Sequence, residues 1–127
     1  MIAANELRIG SLINYEQTTH IITEISKTLV RHYWVKNQKD EYVSDFSEIS
    51  PIPLSPEILE KCGIKDVWIK NSWKVVEDVS GGETFGWGMK VRNANYNKEI
   101  EFAYFKSLHQ LQNLIFALTG TELEIKL

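Results

Sequence analysis

The chain has 127 residues, 43% hydrophobic and 24% charged, with a formal net charge of −3 from 14 basic and 17 acidic side chains. This apolar fraction is too high for a disordered chain, and the length suits one domain or two small modules sharing a core. The mild acidity weighs against nucleic acid as a partner, since phosphate binding normally needs a basic footprint, and a single cysteine excludes an internal disulfide.

The opening "MIAANELRIG" has neither the basic nor the apolar region of a secretory leader. No apolar run approaches the roughly 18 residues that a membrane span needs. The expectation is a soluble cytoplasmic protein with no membrane partner.

In chain order, Arg8–Tyr15 reads as a strand opened by Gly10, and "YEQTT" as a turn. His20–Ser26 and Leu29–Lys36 read as strands rich in β-branched and aromatic residues, so His20 and His32 fall on neighbouring strands. "NQKD" at 37–40 reads as the next turn, with Glu41–Ser44 returning. Ile49–Leu54 is the last strand of the set, limited to edge pairing by Pro51 and Pro53. These short strands predict a small SH3-like β-barrel over 1–54, or a plain curled meander.

"LSPEILEKCGI" then signals a helix. Ser55 suits the N-cap, Pro56 the first helical position, Glu57 the positive dipole end and Gly63 the left-handed stop. Cys62 fits a small core residue better than a reactive thiol, because no basic cluster adjoins it.

A meander follows. Trp73–Val79 is a strand, "SGGE" at 80–83 a hairpin turn, and Thr84–Arg92 a strand with Phe85, Trp87, Met89 and Val91 on one face. On its other face, Gly86 and Gly88 let a neighbouring backbone, a ring or a ligand approach. "NANYN" at 93–97 turns the chain into Glu99–Phe105, with Ile100, Phe102 and Tyr104 inward. A helix at 107–118, capped by Ser107 and ended by Gly120, is expected to cover this sheet. Leu123–Leu127 reads as a final strand. The expected class is α+β: a module at 1–54 and a helix–meander–helix–strand module at 55–127, packed as one domain.

The 107–118 helix carries Leu108, Leu111, Leu114, Ile115 and Leu118 within an arc of about 120°. Its other side carries His109, Gln112, Asn113 and Phe116, with Gln110 nearby and no charged residue among them. Either this side packs on the N-terminal module, its amides satisfying backbone groups, or it is exposed and binds a partner. Tyr33 and Trp34 form a second candidate binding spot. Neighbours on a strand, they point one inward and one outward.

The chemistry-bearing motifs are incomplete. His20, His32 and His109 lack metal-ligand spacing, and no Gly-x-Ser-x-Gly elbow occurs. Glu99 with Glu101, and Asp45 with Glu48, read as solvated faces and turns. "GGETFGWGMKV" lacks the Gly-x-Gly-x-x-Gly pattern and its strand–turn–helix setting. No catalytic, cofactor or metal residue is assigned. An enzyme would need a pocket joining His109 to Cys62 or to a carboxylate.

"NELRIGSLINY" at 5–15, "PIPLSPEILEKCGI" at 51–64 and "LHQLQNLIFALTGTELEI" at 108–125 together resemble a family of small proteins without assigned activity. It recurs in Bacteroidetes genomes and in their phages and mobile elements. The resemblance implies a bacterial or phage cytoplasmic setting and transfers no catalytic residue. The expected function is a non-enzymatic binding or adaptor protein with a protein partner. The alternative is nucleic-acid binding through Arg31, Lys36, Lys39 and the barrel aromatics. An unpaired edge at the meander or the C-terminal strand would allow a homodimer.

Overall fold

The computed structural model describes residues 2, 6–70, 72–78, 86–93 and 98–126. The expected turn at 80–83 and all but Asn93 of that at 93–97, with Thr84, Phe85, Leu127 and the side chains of Ile100 and Phe102, lie outside the described residues. Among the described residues the structure is α+β, with two antiparallel sheets and two helices. Strands β1 (Leu12–Tyr15), β2 (Thr18–Ile25), β3 (Leu29–Trp34) and β4 (Asn37–Asp45) form one sheet in the order β1-β2-β3-β4. Helix α1 spans Pro56–Lys61. Strands β5 (Trp73–Asp78), β6 (Gly86–Asn93) and β7 (Lys98–Phe105) form the second sheet, and helix α2 spans Leu108–Thr119.

The chain forms two compact units. The first joins Met1–Pro53 to Ser107–Thr121, and the second holds Leu54–Lys106 with Glu122–Leu127. Helix α2, expected to cover the 73–105 meander, therefore belongs with β1–β4. Its amides, described below, explain why.

The first unit is a four-stranded meander that does not close into a barrel. Pro51 and Pro53 lack the N–H groups that a fifth strand would need. The 49–54 segment makes only isolated bridges, Asn14 with Ser50 and Pro53 with Ser107. β1 starts at Leu12 rather than Arg8, because Arg8–Ser11 is a turn in which Ser11 N–H donates to Arg8 C=O at 3.0 Å. The β3–β4 turn is Val35–Lys36, two residues earlier than expected, and Asn37–Asp40 belongs to β4.

One face of this sheet buries Ile13, Ile22 and Val30 with Ile2, Leu7 and Ile49, while Tyr15, Ile25 and Phe46 pack at the rim. Each fully buried aliphatic side chain of this size stabilises by about 1.5–3 kcal/mol. The cluster is therefore the main cohesive element of the unit.

In the second unit α1 is bounded as its sequence implies. Ser55 Oγ accepts from Ile58 N–H at 3.3 Å and Pro56 opens the helix. At the other end Gly63 takes φ 71°, Gly63 N–H donates to Glu60 C=O at 3.0 Å, and Ile64 N–H donates to Leu59 C=O at 3.1 Å. That is a Schellman ending, and the two positions that form the apolar contact of this motif, Leu59 and Ile64, are both buried.

The second sheet departs from simple alternation at one point. A register shift between Gly88 and Met89 pairs Gly88 with Tyr104 but Met89 with Phe102. The extra residue in β7 reverses the facing beyond it. Tyr104, expected inward, is 67% exposed, and Phe105, opposite Trp87, is buried. A Cβ on Gly86 would lie 3.0 Å from Phe105 C=O, so this glycine admits the neighbouring backbone, one of the roles expected for it. Residues 122–126 form no strand, contrary to expectation, although Lys126 N–H donates to Lys61 C=O at 2.9 Å.

Candidate functional site

Ser107 opens α2 and Gly120 ends it with φ 71°, which presents the helix's amides to residues 6–12. Each of the three amides there uses both of its ends. Gln110 Oε1 accepts from Ser107 N–H at 3.3 Å while its Nε2 donates to Glu6 Oε1 at 2.9 Å. Gln112 Oε1 accepts from Leu12 N–H at 2.7 Å while its Nε2 donates to Gly10 C=O at 3.0 Å. Asn113 Oδ1 accepts from Arg8 Nε at 2.7 Å while its Nδ2 donates to Glu6 C=O at 2.7 Å. Arg8 also donates to Gln112 C=O and lies 5.1 Å from the centre of the Phe116 ring. This side of the helix meets the first unit's own N-terminal segment.

The candidates read from the sequence are thereby divided. His109 and Gln112 are buried and Asn113 is half-buried, so they do not form an exposed patch. Phe116 is 44% exposed beneath Arg8. In β3, Trp34 is exposed and Tyr33 is half-buried.

His109 Nδ1 lies 3.2 Å from Ser107 Oγ, and its Nε2 lies 4.0 Å from Glu6 Oε2. The types match a serine–histidine–carboxylate set, but the geometry does not make one. At 4.0 Å the imidazole and carboxylate are not hydrogen-bonded, and Ser107 and His109 are both buried out of reach of a substrate. Burial lowers the His109 pKa against the opposing pull of Glu6, so the ring favours its neutral form. Cys62 belongs to the second unit, and burial pushes its thiol up to about 11, away from the reactive thiolate.

A second polar cluster lies inside the first unit, and sequence reasoning caught only its strand placement. His20 Nε2 is 3.0 Å from Thr18 Oγ1, the two histidines meet Nδ1 to Nδ1 at 2.8 Å, and His32 Nε2 is 2.8 Å from Ser44 Oγ. Thr18 Oγ1 already donates to Tyr15 C=O at 2.8 Å. That sets the direction of the chain: His20 Nε2–H donates to Thr18, His32 Nδ1–H donates to His20, and Ser44 donates to His32. Both rings are neutral and every nitrogen is satisfied. Tyr15 packs edge-on against both rings, and Tyr42 stacks on His32 at 5.8 Å. The signal in the sequence was phase: His20 alternates with Ile22, and His32 with Val30, on the buried face.

The open surface of the first unit lies at β3 and β4. Eight of the nine β4 residues are exposed, Tyr42 and Val43 among them, beside exposed Leu29 and Trp34. The cations expected to serve nucleic acid are partly committed. Arg31 is held between Glu24 at 3.3 Å and Glu41 at 3.1 Å, which cancels its charge on that face. In the second unit a cavity of about 310 Å³ has Leu59, Val75 and Trp87 in its lining, with Lys65, Lys74, Asp66 and Glu77 among its charged residues. Lys65 is paired with Glu60, and Lys74 lies over the Trp68 ring, so both cations have partners without a ligand.

Among the described residues no group of three or more His, Cys, Asp or Glu side chains could hold a metal ion. No helix among them is long and apolar enough to cross a membrane. Comparison with protein-family models, with curated proteins and with solved structures finds no match.

Proposed function

We propose that this chain is a non-enzymatic protein-binding module that receives an extended segment along the outer edge of β4. One observation carries the reading: the two edges of the four-stranded sheet are treated differently. The β1 edge is occupied, by the Gln112 amide at Gly10 and Leu12 and by Ser50 at Asn14. The β4 edge is bonded within the chain at Lys39, to Asn37, and at Asp45, to Glu48, but its middle, Glu41–Val43, pairs regularly with β3 and is exposed, with Tyr42 and Val43 offering apolar contact. Long exposed edges are natural templates for strand addition, in which backbone hydrogen bonds give affinity and alternate side chains give selectivity. Arg31, neutralised by Glu24 and Glu41, favours a protein partner over nucleic acid. A bacterial or phage cytoplasmic setting, implied by the sequence resemblance, is part of the same reading.

The test is a photo-crosslinking residue placed at Val43 and, as control, at exposed Glu60 in α1, each expressed in cells. A discrete protein adduct at Val43 and none at Glu60 is the expected result. Equal or absent adducts at both positions would sink the proposal.

A further inference from the structure

We infer that the second unit carries a binding site for an apolar L-α-amino acid, seated against Val75 at the outer edge of β5. Strand β5 ends its sheet, whose order is β5-β6-β7. The register fixes which of its backbone groups point outward. Arg92 N–H donates to Ser72 C=O at 3.1 Å, so that pair is hydrogen-bonded, and bonding alternates from there. Lys74 and Val76 therefore bond to β6, while Trp73 and Val75 turn N–H and C=O outward. At Trp73 both groups are taken by Ile69, which donates at 2.6 Å and accepts at 3.1 Å. The same register would set Val67 against Val75, but Asp66 takes φ 55°, outside strand geometry, and Val67 is 47% exposed. The Val75 N–H and C=O have no hydrogen-bond partner among the described residues, although Val75 is only 4% exposed.

The cavity of about 310 Å³ lies at this place. Lys74, Val75, Val76 and Glu77 all line it, although alternate side chains point to opposite faces, so it lies along the strand edge. Its volume falls at the low end of small-ligand sites, about 300–1,000 Å³. The N–H and C=O of one residue call for an acceptor and a donor at the spacing that one α-amino acid supplies, as Ile69 supplies them to Trp73. A free amino acid brings its carboxylate to the Val75 N–H and its ammonium to the Val75 C=O, and both bonds are charge-assisted. Directly opposite residues of an antiparallel pair share a face. The side chain of an L-amino acid therefore lies on the Val75 side, against buried Leu59 and Trp87 of the cavity wall. A D-amino acid in the same pairing sends its side chain to the other face. Around the cavity Lys65 and Lys74 balance Asp66 and Glu77, which suits a zwitterion of no net charge.

Titration of the isotope-labelled full chain with L-leucine, D-leucine and isocaproic acid, followed by amide NMR shifts, tests this. Isocaproic acid is leucine without its ammonium group. L-leucine is expected to bind saturably, with the Val75 amide among the largest shifts, and both analogues at least about tenfold more weakly. Val75→Pro removes the outward N–H at an edge position, where proline is tolerated, and is expected to lose L-leucine to the same extent. Circular dichroism confirms that this variant is folded; if it is not, the ligand series on the wild type reads the same two bonds. No saturable shift at about 10 mM L-leucine, saturation that leaves Val75 unmoved, or equal binding of either analogue overturns the inference.

Discussion

The side chain of Gln112 stands in for a neighbouring strand at Leu12. Its carbonyl oxygen accepts from Leu12 N–H at 2.7 Å, and its amide nitrogen donates to Gly10 C=O at 3.0 Å. One amide thus satisfies the outward backbone groups flanking Ser11, as the peptide of a parallel strand would. An unsatisfied buried N–H costs more than a typical hydrogen bond contributes. This is the physical reason for a neutral amide where a surface helix would carry a charged residue.

Replacing Gln112 with Met keeps the length and removes both bonds. Stability is expected to fall by about 2–4 kcal/mol, from two lost hydrogen bonds and a stranded Leu12 N–H. Urea denaturation measures it, and a loss under about 0.5 kcal/mol would show that the amide does not close the β1 edge.

The paired histidines predict acid sensitivity. Burial, then the neighbouring His20, depress the His32 pKa from 6.5 to about 4 against the opposing pull of Glu48, and burial also lowers His20 against Glu16. The unfolded chain therefore binds protons that the folded chain refuses. The stabilisation is fully present above pH 6.5 and is lost as pH falls from there towards 4. For His32 the loss is about 3 kcal/mol. Urea midpoints across this range should fall steeply for the wild type and more gently for His32→Gln. Parallel curves would remove the histidine pair as the cause.

Much of this architecture was legible from local chemistry. Ser55, Pro56 and Gly63 bound α1, and Ser107 and Gly120 bound α2, because caps act within one turn. The polar stripe of α2 was recognisable, and so was the alternative that its amides serve backbone groups. Packing on the N-terminal module was one of the two readings, but the residues that receive the amides were not legible, since Glu6, Arg8, Gly10 and Leu12 lie about a hundred residues away in sequence. Amphipathicity says that a face is buried and not by what. Tyr104 was misplaced for a similar reason: a register shift opposite Gly88 is a property of two strands together, and alternation within one cannot reveal it.

Two glycines should respond differently to alanine. Gly63 has φ 71° and nothing within 4 Å of an added Cβ, so Gly63→Ala costs only the left-handed conformation, about 1 kcal/mol. Gly86 combines φ 140° with a carbonyl 3.0 Å from that Cβ, so Gly86→Ala should cost at least twice as much. Thermal melts of the two variants check the order, and the reverse order would contradict the close approach of β7.

The β1–β2 turn is a place where the protein can be made more stable. Glu16 and Gln17 both hold positive φ, 47° and 66°, in a two-residue turn between paired Tyr15 and Thr18. Both angles suit a type I′ turn, for which Asn-Gly is the favoured pair. Exchanging Glu16-Gln17 for Asn-Gly should raise stability by about 1 kcal/mol while keeping the Thr18 to Tyr15 hydrogen bond. The Glu16 charge also raises the His20 pKa, so its removal lowers the folded-state value further. Near pH 8, where both histidines are neutral, the turn effect stands alone, and at pH 5 the lost attraction offsets part of the gain. A variant no more stable than wild type at pH 8 would mean that the turn residues are not strained.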